Sequence, residues 1–254
     1  MGSRCEISIK IPSLHIPYIV IEPLLMDIDK LVIHEEIVES RLDGLIKRFL
    51  KDKAVDMPIV ISPINSQGKY MIIDGHHRWA AVKNLGLTKI PSVIVDYFNP
   101  SIELKTWYPG ITGDMHHIIE ELSKKGIDVE KCGHGLGDII SGSNIFSENI
   151  SFIAISKDSC FEINGGLEGQ KLVTRILDKL CSNELLSLIY YGEINDAVSD
   201  IIENKLSYIF IRRALTKEIV VSKVKEGYVF PPKTTRHILP FYPAKVFTPL
   251  SVLK

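Results

Sequence analysis

What this chain lacks narrows it first. No apolar run approaches the roughly 18 residues that a membrane-spanning helix needs, since "IPYIVIEPLLM" and "SLIYYG" are far shorter. The N-terminal "MGSRCEISIKIP" has no signal-peptide apolar core. An excess of one charge is also missing: 30 Lys and Arg stand against 31 Asp and Glu. That balance argues against a broad non-specific nucleic-acid surface. Four cysteines, at 5, 132, 160 and 181, show neither a CxxC nor a close pair, so they read as reduced thiols. The expectation is a cytoplasmic protein with no membrane and no nucleic-acid partner. No internal repeat is present.

What is there fits an ordinary folded chain. At 254 residues, with 45% hydrophobic and 24% charged residues, it can bury one large core or two smaller ones. Strand-like "IPYIVIEPLL" leads into a helix from about Glu36, with Ile37, Leu42, Leu45, Ile46 and Phe49 on one face. "MPIVISPI" and "KYMIID" read as strands around the turn "NSQG". A helix follows Gly75, then strand "IPSVIVDYF" and helix "GDMHHIIEELSKKGI". Residues 131–148, "KCGHGLGDIISGSNIFSE", are rich in Gly and Ser and read as a linker. The spacing of Gly133, Gly135 and Gly137 is that of a nucleotide loop only superficially, without a clear strand before it and helix after it. Beyond it, strands and helices alternate from "SFIAIS" to a helix near 216–226, which predicts a second α/β unit. The expected domains are 1–130 and 149–254, joined by 131–148.

"YMIIDGHHRWAAVKNLGL", residues 70–87, concentrates chemistry at one boundary. A strand that ends at a glycine and turns into a helix presents free N–H groups and a positive dipole end, which suits phosphate. Gly75 permits close backbone approach, and His76, His77 and Arg78 add donors, the guanidinium in a fork. Asp74 repels phosphate directly; it either holds a Mg²⁺ that bridges phosphates, orients a histidine, or simply caps the helix. Adjacent histidines at a helix start rarely both reach one ion, which disfavours a transition-metal site.

The corner resembles the phosphate-binding motif of the ParB/sulfiredoxin superfamily, in which a strand leads into a Gly-x-x-Arg helix start. Sulfiredoxins carry a cysteine in that motif and this chain has histidine, so sulfinate repair is not implied. The blocks "IHEE", "IDGHHRWA", "PSVIVDYF", "TWYPG", "GGLEGQK", "LIYYG", "YIFIRRALTKE" and "FPPKTTRHILPF" resemble, in order and across nearly the whole chain, the archaeal free L-serine kinases. The resemblance implies a mixed α/β fold: a ParB/sulfiredoxin-like nucleotide-binding unit and a C-terminal α/β unit with a cleft between them. It implies phosphorylation of free L-serine by ATP or ADP, with Mg²⁺, to O-phosphoserine for cysteine synthesis.

Residue by residue, the resemblance places the general base at Glu35, with Glu36 and Glu39 as second choices. A carboxylate in reach can take the proton of a hydroxyl that is a poor nucleophile at neutral pH. Asp74 is the second catalytic carboxylate and the Mg²⁺ candidate, and Gly75, His76, His77 and Arg78 take the nucleotide phosphates. Trp107 lines the serine site, and Thr234, Thr235, Arg236 and His237 in "KTTRH" bind substrate; taken alone, that stretch has a composition suited to anions. Arg41 and Lys47, where the ADP-using pattern is acidic, lean the donor towards ATP, unless both merely decorate a solvent face. Two rival functions remain at this stage: a ParB-like nucleotide-dependent DNA-binding or regulatory protein, and a nucleotide hydrolase whose acceptor is water. Oligomeric state is not legible.

Overall fold

The computed structural model describes residues 7–65, 68–140, 146–147 and 149–254. Parts of two predicted segments, the turn at 65–68 and the glycine-rich stretch to 148, lie outside the described residues, as does Cys5. The chain is a mixed α/β protein made of two compact units, each assembled from two stretches: Met1–Ser13 with Thr106–Ala214, and Leu14–Lys105 with Leu215–Lys254. The boundary expected within 131–148 is therefore corrected. The chain crosses between units at 105/106 and returns at 214/215.

The first unit is built on a seven-stranded sheet. Its order is Ser8–Lys10, Leu186–Tyr191, Tyr108–Gly113, Tyr208–Ile211, Ile150–Ile155, Cys160–Asn164, Val129–Lys131. All six residues of Ile150–Ile155 are buried, because side chains alternate between two covered faces. Phe152 and Ala154 pack with helices Met115–Ser123 and Gly166–Ser182. Ile153 and Ile155 pack with Ala197 and Ile201 of helix Ile194–Ile202.

Residues 129–140 belong to this sheet unit as strand Val129–Lys131 and short helix Leu136–Ile140, not to a linker. The reduced-thiol expectation is also corrected, since Cys132 and Cys160 form a disulfide. Their separation of 28 residues hides that they are cross-strand neighbours at the end of an antiparallel pair.

The second unit holds a five-stranded sheet ordered Leu24–Asp27, Lys89–Ile94, Ile59–Pro63, Tyr70–Asp74, Leu31–Val32. Phe49 of helix Glu39–Asp52 and Ala81 and Val82 of helix His76–Asn84 close its core with Ile59, Ile61 and Ile72. After helix Lys217–Lys225, the chain returns in short strands: Arg236–Ile238 on Glu103–Lys105, Tyr242–Pro243 on Tyr18–Ile19, and Thr248–Pro249 on Ala54–Val55. The helix expected from Glu36 begins at Glu39. The backbone before it is extended: Phe230 N–H donates to the His34 carbonyl at 2.8 Å, and Glu36 N–H to the Phe230 carbonyl at 2.9 Å.

Candidate active site

The site grows from Gly75. Strand Tyr70–Asp74 has a buried centre and neighbours on both sides, and the chain turns at once from its end into a helix. Gly75 does so at φ 103° and ψ 21°, in the left-handed region, where a side chain would also overlap Ile59. The helix starts with Trp79 N–H donating to the Gly75 carbonyl at 3.0 Å, which leaves the N–H groups of His76, His77 and Arg78 as first-turn donors. Arg78 Nη2 donates to Asp74 Oδ2 at 2.6 Å, with 44% of the Asp74 side chain exposed against 16% of Arg78.

The two histidines do different work. His77 Nε2 accepts Val38 N–H at 3.0 Å, just before helix Glu39–Asp52. His76 is turned inward, and its Nε2 accepts His34 N–H at 3.4 Å. Burial pushes the His76 pKa well below the ordinary imidazole value. Burial, with the Arg41 charge, also lowers that of His77.

Glu35 meets the returning segment 233–237. Its Oε1 accepts the Thr235 N–H and the Thr235 hydroxyl, both at 2.6 Å, and its Oε2 accepts Lys233 N–H at 3.2 Å. Lys233 sits at φ 63°, a costly backbone for a residue with a side chain. The loop is held there by Thr234, whose hydroxyl donates to the Pro231 carbonyl at 2.8 Å. Burial, helped by Arg41, brings the Lys233 ammonium down to about 8, against the opposing pull of Glu35.

Behind Glu35 lies a packed group of rings. His34 is 1% exposed, with ring centroids 4.4 Å from His76 and 5.1 Å from His237. His237 Nε2 lies 2.9 Å from the Tyr97 hydroxyl. Burial lowers the pKa of His34 and, more strongly, of His237, and it raises that of the Tyr97 phenol.

Of the residues expected at the site, Glu35, Asp74, Gly75, His76, His77, Arg78, Thr234, Thr235, Arg236 and His237 all lie in the second unit. The "KTTRH" segment was expected in the C-terminal domain; it belongs to this unit because it pairs with Glu103–Lys105. The Thr234 and Thr235 hydroxyls, expected to bind substrate, donate to the Pro231 carbonyl and to Glu35. Trp107 is in the other unit and packs against its core. The sequence reading missed His34, Tyr97 and Lys233. His34 adjoins Glu35 in "IHEE" and Lys233 opens "KTTRH", so position alone could have flagged both; nothing in the sequence singled out Tyr97. Among the described residues, no group of three or more His, Cys, Asp or Glu side chains is arranged to hold a metal.

Two family models match the chain and meet at the unit boundary: the ParB N-terminal domain over residues 32–103, and the L-serine kinase SerK C-terminal domain over residues 106–212. The architecture is thus a ParB-type domain joined to a SerK-type domain. An ATP-dependent L-serine kinase of Desulfurococcus mucosus is 49% identical over 100% of this chain and 99% of its own length. The ADP-dependent L-serine kinase SerK of Thermococcus kodakarensis is 37% identical, over 96% of this chain and 98% of its own. A solved structure of a free serine kinase in complex with AMP superposes with a TM-score of 0.89 at 36% identity, covering 97% of this chain and 100% of that one. The chain belongs to the L-serine kinase family.

Proposed function

We propose that the protein transfers a phosphoryl group from an adenine nucleotide to the hydroxyl of free L-serine, with Glu35 as general base. The observation that carries this reading is the pairing of two features in one unit. A strand–glycine–helix corner has unspent N–H groups and an arginine, and a carboxylate is fixed by three hydrogen bonds from a strained loop. Family membership supplies the acceptor, since the relatives are named for L-serine.

In the reaction, the serine O–H bond breaks and its proton passes to Glu35. The serine oxygen forms a bond to the transferred phosphorus, and the bond from that phosphorus to the departing nucleotide oxygen breaks. The corner's N–H groups and Arg78 stabilise charge on the phosphate oxygens. Lys233, protonated below about pH 8, adds a cation beside the base. Asp74, partly exposed at the end of its strand, would be the residue to hold a Mg²⁺, which when bound would supply charge neutralisation on the phosphates. The product carries a phosphate leaving group on Cβ, which suits it to replacement by sulfide in cysteine synthesis.

The donor is proposed to be ATP. The relative named as ATP-dependent is 49% identical, against 37% for the one named as ADP-dependent. Phosphorus NMR of the protein with Mg²⁺, L-serine and either nucleotide tests the whole reading. O-phosphoserine from ATP is expected, with turnover falling about 10²–10⁴-fold in Glu35→Gln. No phosphoserine from either donor, in folded protein, overturns the kinase reading and leaves the corner as a nucleotide switch of the ParB kind.

A further inference from the structure

We infer that His34, acting through the Thr235 hydroxyl, is the far end of a proton relay that begins at Glu35. The inference rests on Glu35 being the general base, and it gives His34 the role of a positioning residue for that base.

The Ile72 carbonyl can only accept, so its 2.7 Å contact with His34 Nδ1 puts a proton on that nitrogen. The neutral ring then has a bare Nε2. His76 Nε2 lies 3.0 Å from the same Nδ1; since it also receives the His34 backbone N–H at 3.4 Å, it is an acceptor there and leaves the proton on His34 Nδ1. The bare Nε2 of His34 lies 2.8 Å from Thr235 Oγ1, and the same Oγ1 lies 2.6 Å from Glu35 Oε1.

With Glu35 ionised, the single Thr235 hydroxyl proton stands between two acceptors. It can serve only one, and the other contact is lone pair against lone pair. Exactly one more proton is missing from the line, and one proton is what the base removes from the acceptor hydroxyl.

The filled line has two forms with the same atoms. In one, Glu35 Oε1–H donates to Thr235 Oγ1, and the Thr235 hydroxyl donates to His34 Nε2. In the other, both protons have shifted along the line: His34 Nε2–H donates to Oγ1, and the hydroxyl donates to a Glu35 carboxylate. No oxidant, metal or further reactant is involved. The surroundings suit the role. His237, packed on His34, is pushed towards the neutral form by burial, and burial pushes His34 the same way, while Glu35 and Asp74 favour its cation. A residue that merely filled this space would not need a nitrogen facing Thr235.

Two measurements test the relay. The first, on the free protein, is ¹⁵N NMR of histidine-labelled wild type and Thr235→Val at neutral pH. His34 Nε2 is expected as a bare ring nitrogen whose resonance shifts when the hydroxyl is removed. A protonated Nε2, or a resonance that ignores Thr235→Val, overturns the relay whether or not the protein is a kinase. The second is a proton inventory of single-turnover phosphoserine formation in mixed H₂O and D₂O. Wild type is expected to give a curved plot, Thr235→Val a straight one with turnover reduced about tenfold or more, and Thr235→Ser the curve again. Straight plots for all three, with phosphoserine still formed, overturn the relay and leave the kinase reading standing. Absence of phosphoserine from wild type overturns that reading, and the NMR result then decides the His34–Thr235 contact by itself.

Discussion

Each unit contains a strand that ends at a left-handed glycine and turns straight into a helix, and the two corners differ in what they have left to offer. In one, Tyr70–Asp74 leads through Gly75 at φ 103° into His76–Asn84; in the other, Cys160–Asn164 leads through Gly165 at φ 111° into Gly166–Ser182. Neither glycine can carry a side chain without strain or close contact. The second corner is closed, because the Asn149 carbonyl takes the N–H groups of both Gly165 and Gly166 at 2.9 Å. Its first turn also holds Glu168, an acid that answers the helix dipole internally. At the first corner the equivalent place is Arg78, drawn to Asp74. A shared backbone shape thus does not by itself offer a phosphate site; the proposed site at Gly75 rests on the first-turn donors and on a cation in place of the acid.

The sharpest way to break this comparison is to put alanine at each glycine. Both substitutions strain the left-handed backbone by about 1–3 kcal/mol, so both are expected to lower the melting temperature. Only Gly75→Ala is expected to abolish nucleotide binding measurable by calorimetry, since the added methyl meets Ile59 and re-aims the N–H groups. Equal nucleotide affinity in folded Gly75→Ala would show that the corner is structural in both units. The next largest effect comes from the side chains. Arg78→Met is expected to weaken nucleotide binding by about 1.5–3 kcal/mol, the range for a hydrogen bond to a charged group, and Glu168→Gln to leave it unchanged. A comparable loss from Glu168→Gln would relocate the phosphate.

The comparison also marks what the sequence could and could not reveal. The Asp74–Arg78 corner was legible because strand, glycine and basic helix start are contiguous. The closed corner was visible as "FEINGGLEGQK" too, but its closure depends on Asn149, sixteen residues upstream of Gly165, and no local pattern encodes that. Most helices were placed within a few residues, for their apolar spacing survives in the fold. The domain boundary was misjudged because glycine and serine content marked 131–148, while the decisive event is long-range pairing of Arg236–Ile238 with Glu103–Lys105. Glu35 was found through resemblance alone. Its partners Thr235 and Lys233 lie about two hundred residues away, and the disulfide was missed for the same reason, at shorter range.

A smaller effect distinguishes the loop side of the site by pH. The Lys233 ammonium titrates at about 8 because burial disfavours its charge, so the cation is present below that pH and lost above it. Affinity for an anionic substrate or product is expected to fall as pH rises through about 8. Lys233→Arg, whose guanidinium stays charged, is expected to flatten that dependence. The folding term has the opposite sense. The folded pKa lies below the ordinary 10.5, so the unfolded chain holds the extra proton between the two values, and the penalty on folding fades as pH rises from 8 to 10.5. A phosphoserine affinity indifferent to pH between 7 and 9 in wild type would remove Lys233 from the binding set.

The smallest expected effect concerns the choice of donor, and here the structure separates two residues that the sequence treated together. Arg41 and Lys47 are both exposed on helix Glu39–Asp52. The charge of Arg41 acts on His77 at the corner and on Lys233 beside Glu35. Lys47, about two turns further on, is not among the charges acting on either group. An exposed charge at this range is worth about 0.2–1 kcal/mol, which corresponds to a shift of no more than about fivefold in the ratio of kcat/KM for ATP over ADP. Arg41→Glu is therefore expected to lower that ratio at low ionic strength, with the effect fading in added salt, and Lys47→Glu to leave it unchanged. Equal shifts from both variants would mean that the helix acts through its overall charge. No shift from either would place donor choice in groups that contact the nucleotide directly, with Arg78 the first to exchange.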